Sequence, residues 1–348
     1  MSKTVKIKNI VIGGGAPIAV QSMTNTDTLD TRATENQLSR LQNAGCDIAR
    51  LAVSSDEEVE ACKPLIGKFD MPLVADIQFD YKIAVKCCEI GFDKIRFNPG
   101  NIGDESKVKR VVDACKMHGV PIRIGVNTGS LEKELLGLEK SEALVKSALK
   151  HVRILEKYAF NDIVISVKSS DVKTMVAAYR KLASSVDYPL HLGVTESGTG
   201  ERGVVRSAIG IGSLLLDGIG DTVRVSLSGD PVDEVYAAKT VLQEVGADKN
   251  YCEIISCPTC SRCRYDLKSI VDILKAETER IRKPVKVAVM GCVVNGPGEA
   301  SDADFGVAGG GNGKAALFVK GKVVSTIDTD EIVPTLLKLI NDKIKENE

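Results

Sequence analysis

Eight short runs rich in β-branched residues recur through the first 228 residues, and the stretches between them carry the apolar periodicity of helices. The runs are PIAVQSM (17–23), DIARLAV (47–53), PLVADI (72–77), KIRFNP (94–99), PIRIGV (121–126), DIVISVK (162–168), PLHLGVT (189–195) and TVRVSLS (222–228). Amphipathic helices are expected at 35–45, 106–117, 171–185 and 232–246. Eight strand-helix units fit a closed α/β barrel of the TIM (β/α)8 type. A doubly wound open sheet is the competing fold, but it rarely runs through eight regular units, and no GxGxxG opens a helix after the first strand.

After ADKN (247–250) the rhythm breaks into a strand, a cysteine-rich loop, a helix near 265–281, another strand and a glycine-rich hairpin. This predicts a barrel domain over 1–246 and a smaller α+β domain over 247–348. AGGGNGK (308–314) is not a phosphate loop, because Ala308 stands at the leading glycine and Ala315 at the magnesium-binding hydroxyl. It reads as a turn, and Gly13–Gly15 read as a hairpin between two short strands.

Side chains alternate across a strand, so Arg96 with Asn98, Arg123 with Asn127, and Arg224 with Ser226 share a strand face or continue its direction. Arg50 and Lys168 occupy similar positions. Any one of them could point outward and reach water past the helices. Five cations together argue otherwise, since the outer face of barrel strands is covered by helices and the C-terminal mouth is where barrel enzymes place their sites. Guanidinium forks, an ammonium and amides suit phosphate oxygens, so a diphosphate or bisphosphate is the expected ligand. Glu196, ending the seventh run, is placed either to donate a proton to a departing oxygen or to neutralise a neighbouring arginine.

In SCPTCSRC, Cys257, Cys260 and Cys263 stand two residues apart, and Cys292 follows in MGCVVNGPGEA. The spacing signals a metal. A closed zinc site of four thiolates is the rival to an iron-sulfur cubane. Zinc is redox-silent and gives the anion-binding mouth no partner, which favours iron. Cys46, Cys62, Cys87, Cys88, Cys115 and Cys252 fall in helical or strand stretches and read as small buried apolar residues.

Lysine plus arginine number 46 against 47 acidic residues, so no global field recruits nucleic acid or an anionic membrane. Tryptophan is absent and aromatics are 4% of the chain, which leaves little material for stacking on bases. MSKTVKIKNIVIGGG lacks the apolar core of a secretory leader, and no stretch approaches a membrane span. A cytoplasmic protein with reduced thiols is expected.

These motifs resemble the 4-hydroxy-3-methylbut-2-en-1-yl diphosphate synthase family in its bacterial two-domain form. The likeness runs through QSMTNTDT (21–28), PLVADIQFDY (72–81), FNPGNIG (97–103), PIRIGVNTGSLEKELL (121–136), SVKSSD (166–171), RVSLSGDP (224–231), SCPTCSR (256–262) and GCVVNGPGEA (291–300). It implies an oxidoreductase of non-mevalonate isoprenoid biosynthesis that opens and dehydroxylates 2-C-methyl-D-erythritol 2,4-cyclodiphosphate, with ferredoxin or flavodoxin as electron donor. It also implies one 4Fe-4S cluster per chain, held by Cys257, Cys260, Cys292 and the carboxylate of Glu299. Spacing alone would choose Cys263 as the fourth ligand. An exchangeable oxygen ligand suits chemistry at the cluster better than a fourth thiolate. The diphosphate ligands implied are Arg50, Arg96, Arg123, Lys168, Arg224 and Ser226, with Asn98 and Asn127 nearby and Glu196 as proton donor. Gln78 stands where the family often has a histidine, which removes that ring from any proton transfer here.

The helix at 232–246 must run back ~22 Å from the mouth. The cysteine domain then begins at the far end of its own barrel, which predicts a head-to-tail homodimer with each cysteine domain capping the partner's barrel. Two other classes stay open at this point: a non-catalytic cluster carrier, and a zinc-stabilised aldolase or isomerase using Lys168 as a Schiff base.

Overall fold

Three apolar residues of the first two strands close one end of the barrel. In the computed structural model, which describes residues 2–294, 298 and 300–346, β1 (Val5–Ile7) and β2 (Ile10–Ile12) pair as an antiparallel hairpin. Val5, Ile7 and Ile12 pack on Ala19, Ile48, Val74 and Val164, inward residues near the start of four barrel strands. The hairpin expected at Gly13–Gly15 is corrected: the chain turns at Lys8–Asn9, where Lys8 has φ 51°. The glycines instead lead β2 into the barrel. Gly13 has φ 82°, and a Cβ there would lie 2.1 Å from the Lys3 carbonyl, so only glycine fits.

Eight parallel strands follow: β3 (Ala19–Met23), β4 (Ile48–Ala52), β5 (Leu73–Asp76), β6 (Lys94–Phe97), β7 (Ile122–Asn127), β8 (Ile163–Lys168), β9 (His191–Leu192) and β10 (Thr222–Val223). Their order is β8-β7-β6-β5-β4-β3-β10-β9. The TIM-type barrel is closed between β8 and β9 by a single Ile165–Leu190 bridge. Beside that bridge, the Tyr179 hydroxyl accepts from Val167 N (3.2 Å) and donates to the His191 carbonyl, so a phenol stands in for a rung of the ladder. The last two strands are shorter than the runs at 189–195 and 222–228. Arg224 N still donates to Leu192 O (2.9 Å), so the direction persists after the regular ladder ends.

Helices α1 (Thr31–Asn43), α2 (Asp56–Cys62), α3 (Tyr81–Ile90), α4 (Pro99–Ile102), α5 (Glu105–His118), α6 (Lys140–Lys157), α7 (Val172–Ala183), α8 (Gly200–Leu216) and α9 (Pro231–Glu244) cover the strands. Asp30, Asp80, Asp104, Asp171 and Asp230 each accept from an amide of the helix they precede, which fixes where five of these helices begin. Gly91 and Gly119 end α3 and α5 in the left-handed conformation. Leu51, Ala75, Ile95, Ile124, Ile165 and Val223 point outward from their strands into the apolar layer beneath the helices. Cys46, Cys62, Cys87, Cys88 and Cys115 lie buried in that layer. Burial pushes the Cys46 and Cys62 thiols up to about 12, which keeps them inert.

The chain divides into two units, residues 1–247 and 248–348. The second holds a mixed five-stranded sheet ordered β11 (Cys252–Ser256), β12 (Val285–Met290), β13 (Phe305–Gly311), β14 (Lys314–Val319), β15 (Lys322–Asp328). The first three strands are parallel and the last three antiparallel. Asn312 and Gly313 turn the β13–β14 hairpin with φ 51° and 69°, the signature of an Asn-Gly type I′ turn. Helices α10 (Leu267–Thr278) and α11 (Ile332–Glu346) share one core with the sheet through Leu274, Val287, Val307, Leu336 and Ile340. Among the described residues, no helix is long and apolar enough to cross a membrane.

Candidate active site

Strand alternation places Arg50 (β4), Asp76 (β5), Arg96 (β6), Arg123 (β7) and Lys168 (β8) on the inner face of the barrel, all toward the C-terminal ends of their strands except Arg123, the second residue of β7, which lies deeper and level with Val164. Asp76 is the hub. Arg96 Nη1 donates to its Oδ1 (2.7 Å), and Arg50 Nε lies 3.3 Å from its Oδ2. Burial opposes the Asp76 charge, yet Arg50, Arg96 and Arg123 outweigh it and hold the carboxyl below its ordinary range. Opposite, Glu234 of α9 takes the Arg224 fork through two 3.2 Å hydrogen bonds, and it also accepts from Ser22 Oγ (2.9 Å) and Leu227 N (3.0 Å). Met23 Sδ stands between the two arginine groups, accepting from Arg50 at 3.0 and 2.8 Å and from Arg224 at 3.8 Å.

Two glycines make room for long cations. A Cβ on Gly125 would sit 2.5 Å from Arg96 Nε, and one on Gly193 would sit 3.0 Å from Lys168 Nζ and 2.8 Å from the Arg224 carbonyl. The glycines let these side chains lie across the barrel wall rather than be forced off it. Lys168 is buried, and burial followed by Arg123, Arg50, Arg224 and Arg96 lowers the pKa of its amine well below the ordinary value.

Around this ring stand the polar residues named from sequence. Asn98 is buried and caps α4 through Oδ1 to Gly100 N (3.1 Å). Asn127 ends β7, and Ser226 is half-buried beyond β10. Glu196 is exposed in the loop after β9 with φ 53°, an unusual conformation for a residue with a Cβ and a mark of a constrained loop. Sequence reasoning missed Asp76, Lys94, His191 and Glu234. For Asp76 the signal was available, since it lies level with Arg96 across the sheet.

In the second unit, parallel β11 and β12 end side by side, with Ser256 level with Val289. Cys257 and Cys292 therefore follow adjacent strand ends. Gly291 N donates to Cys257 Sγ (3.2 Å). Cys260 is exposed in the loop, which is tightened by Cys263 N donating to the Cys260 carbonyl (3.0 Å). Cys263 lies against Gly291, and its thiol donates to the Tyr265 carbonyl (3.2 Å). The Tyr265 hydroxyl is pushed up by burial and then by the neighbouring Cys263, Cys257 and Cys292. Among the described residues, no three His, Cys, Asp or Glu side chains form a ready metal-binding group. Glu299, the expected fourth ligand, lies outside the described residues.

Comparison with known proteins agrees with this two-part organisation. Residues 2–239 match the GcpE TIM-barrel domain and residues 253–342 the GcpE protein C-terminal domain. A relative from Caldanaerobacter subterraneus is 52% identical over 99% of this chain and 98% of its own length. One from Clostridium perfringens is 52% identical over 97% and 98%. Both are named 4-hydroxy-3-methylbut-2-en-1-yl diphosphate synthase (flavodoxin). Among solved structures, a dihydropteroate synthase from Coxiella burnetii superposes with a TM-score of 0.51 at 13% identity, over 71% of this chain and 100% of that one. That likeness concerns the fold alone. With both family models matched in order and relatives half identical along nearly its whole length, the chain belongs to the GcpE family.

Proposed function

We propose that the cationic ring at the barrel mouth grips the diphosphate of 2-C-methyl-D-erythritol 2,4-cyclodiphosphate, which the protein opens and dehydroxylates to (E)-4-hydroxy-3-methylbut-2-enyl diphosphate. The reaction takes up two electrons and two protons and releases water. The relatives' names supply the product. The observation that carries the reading to this site is the gathering of Arg50, Arg96, Arg123, Arg224 and Lys168 around two carboxylates, Asp76 and Glu234, among the described residues. Such an excess of buried positive charge calls for an anionic ligand.

In this reading Arg50, Arg96, Arg123, Lys168, Arg224 and Ser226 bind phosphate oxygens, and Asn98 and Asn127 fill the remaining lone pairs. The pairs to Asp76 and Glu234 orient Arg50, Arg96 and Arg224 before the ligand arrives, which lowers the entropy lost on binding. Glu196, on its constrained loop, donates a proton to the departing oxygen.

One 4Fe-4S cluster per chain is held by Cys257, Cys260 and Cys292, with Glu299 as the fourth ligand. The amide bond to Cys257 and the adjacent strand ends bearing Cys257 and Cys292 suit thiolate ligation. When bound, the cluster supplies the two electrons, received from a flavodoxin, the donor in the relatives' names. The protein works as a head-to-tail homodimer in which each cysteine unit shields the partner's barrel mouth from water.

The test is anaerobic turnover of the cyclic diphosphate by the reduced protein, with iron and sulfide counted on the same sample. About four of each per chain are expected. An iron-loaded protein that leaves the cyclic diphosphate intact refutes the activity. Mixing Lys168→Ala chains with Cys257→Ser chains should restore part of the turnover through one intact hybrid site, and silence in verified mixed dimers refutes the head-to-tail arrangement.

A further inference from the structure

Beneath the mouth ring, the barrel holds polar atoms that the chain itself does not satisfy. Lys94 precedes Arg96 by two residues on β6, so it faces the same interior ~6.6 Å nearer the floor. Its register partner on β5 is Val74, a floor residue. Lys94 is 0% exposed, and among the described residues its Nζ has no hydrogen-bond partner. The same holds for Nε and Nη1 of Arg123, both amide atoms of Gln21 and Nε2 of His191. Gln21 comes from β3, Lys94 from β6, Arg123 from β7 and His191 from β9, so the unsatisfied atoms come from strands all round the barrel. Lys94 lies within the fields of Arg123 and Arg50, and His191 within those of Arg123, Lys168, Lys94 and Arg50.

The charges in this interior can be counted. Arg50, Arg96, Arg123, Arg224, Lys94 and Lys168 face Asp76 and Glu234, so the excess is four positive charges (six minus two) with both lysines protonated and two (four minus two) with neither. Arginine keeps its proton, so the lysines are the groups that adjust. Burial first, then Arg123 and Arg50, lowers the pKa of the Lys94 amine well below its ordinary value. A cyclic diphosphate has one acidic oxygen on each phosphorus and is a dianion, which matches the interior with both lysines neutral. Opening the ring frees a terminal phosphoryl group with a third acidic oxygen. In the mouth ring Arg96 Nε is also without a partner, but the unsatisfied donors are concentrated below it, on Lys94 and Arg123, where they can meet that added charge.

We propose that Lys94 and Arg123 form a deep phosphoryl subsite that recognises the terminal phosphate of an open-chain diphosphate, Lys94 gaining one proton as the third negative charge appears. The inference rests on the reading that this cavity takes a diphosphate. During turnover the carbon-oxygen bond to the ring phosphate breaks, and the oxygen stays on phosphorus. The oxygen keeps the bonding pair, so the third negative charge appears with no proton released. The Lys94 amine takes one of the two protons the reaction consumes, the other leaving in water, so the charge is balanced inside a sealed floor. The cavity is then more complementary to the opened form than to the cyclic one, a differential that favours ring opening.

Calorimetric titration of the purified holoprotein at pH 8, in two buffers of different protonation enthalpy, tests this with methyl diphosphate as the open probe and the cyclic diphosphate as the closed one. The wild type should take up about one proton per methyl diphosphate and none per cyclic diphosphate, and should prefer the open probe by about tenfold. Lys94→Met should abolish the uptake and narrow the preference below about threefold. It should also melt higher than the wild type when empty, because a buried amine without a partner has been replaced by an apolar chain of similar length. Uptake that survives in Lys94→Met overturns the proposal and assigns the proton elsewhere. If that variant does not fold, the wild-type count decides, and zero uptake with the open probe overturns it. A wild type that binds both probes equally sinks the deep subsite alone, whereas one that binds neither sinks the diphosphate reading as well.

Discussion

Two residues along β4 separate Ile48, packed with Val5 and Ile7 on the barrel floor, from Arg50, paired with Asp76 near the mouth. The same step on β5 leads from Val74 to Asp76, and twice that step on β8 leads from Val164 to Lys168. Floor and mouth thus share strands, alternation and nearly complete burial. They differ in what burial does. Each fully buried apolar side chain of the floor contributes about 1.5–3 kcal/mol. Each cation near the mouth is desolvated for partners that do not fully compensate it, so the mouth is held in place by the floor and the outer apolar layer rather than by its own contacts.

That contrast can be broken most directly with paired substitutions. Lys168→Ala should lower kcat/KM by about a thousandfold while leaving the melting temperature unchanged or raised. Ile7→Ala should do the reverse, costing about 2–5 kcal/mol in denaturant titrations with kcat/KM of the folded fraction nearly intact. Equal destabilisation by the two would erase the distinction. Gly125→Ala probes the boundary, because its Cβ meets the mobile end of Arg96 rather than backbone. Stability should change by less than about 1 kcal/mol while KM rises about tenfold, and an unchanged KM would mean that Arg96 does not need to lie across Gly125.

The smallest effect comes from outside the barrel interior. His151 of α6 is buried with Nε2 3.2 Å from Glu132 Oε1, and it packs against Gly100 in α4, the short helix that Asn98 caps. Burial first, opposed by Glu132, lowers its pKa to about 4. The folded state therefore binds fewer protons than the unfolded chain below pH ~6.5, and stability present above that value is lost as pH falls toward 4. Between pH 6.5 and 5 the wild type should lose about 1–2 kcal/mol, and His151→Phe should flatten that slope. A slope retained in the variant would assign the titration to another group.

The barrel was legible because eight short β-branched runs recur between stretches that carry the apolar periodicity of helices. The mouth cations were legible because Arg96, Arg123 and Lys168 share one parity with their neighbours on each strand. Lys94 obeys that parity too, but nothing local distinguishes a lysine at a strand's first residue from one that snorkels outward. Glu234 was hidden differently: it belongs to α9 and reaches Arg224 only because that helix packs back beside β3. The turn at Lys8–Asn9 escaped because neither residue is a glycine, while Gly13–Gly15 drew the eye with a composition that serves close backbone packing instead.

A cylinder of strands has no free edge only if every stave is joined to the next, and here one joint is a side chain. Where Tyr179 stands between Val167 and His191, removing its oxygen would leave a buried amide on one stave and a buried carbonyl on the other without their partner. Amide exchange along β8 should therefore quicken in Tyr179→Phe before any other strand responds. The cylinder would part at this seam, beside Lys168 and His191, so fraying there reaches the reaction chamber first.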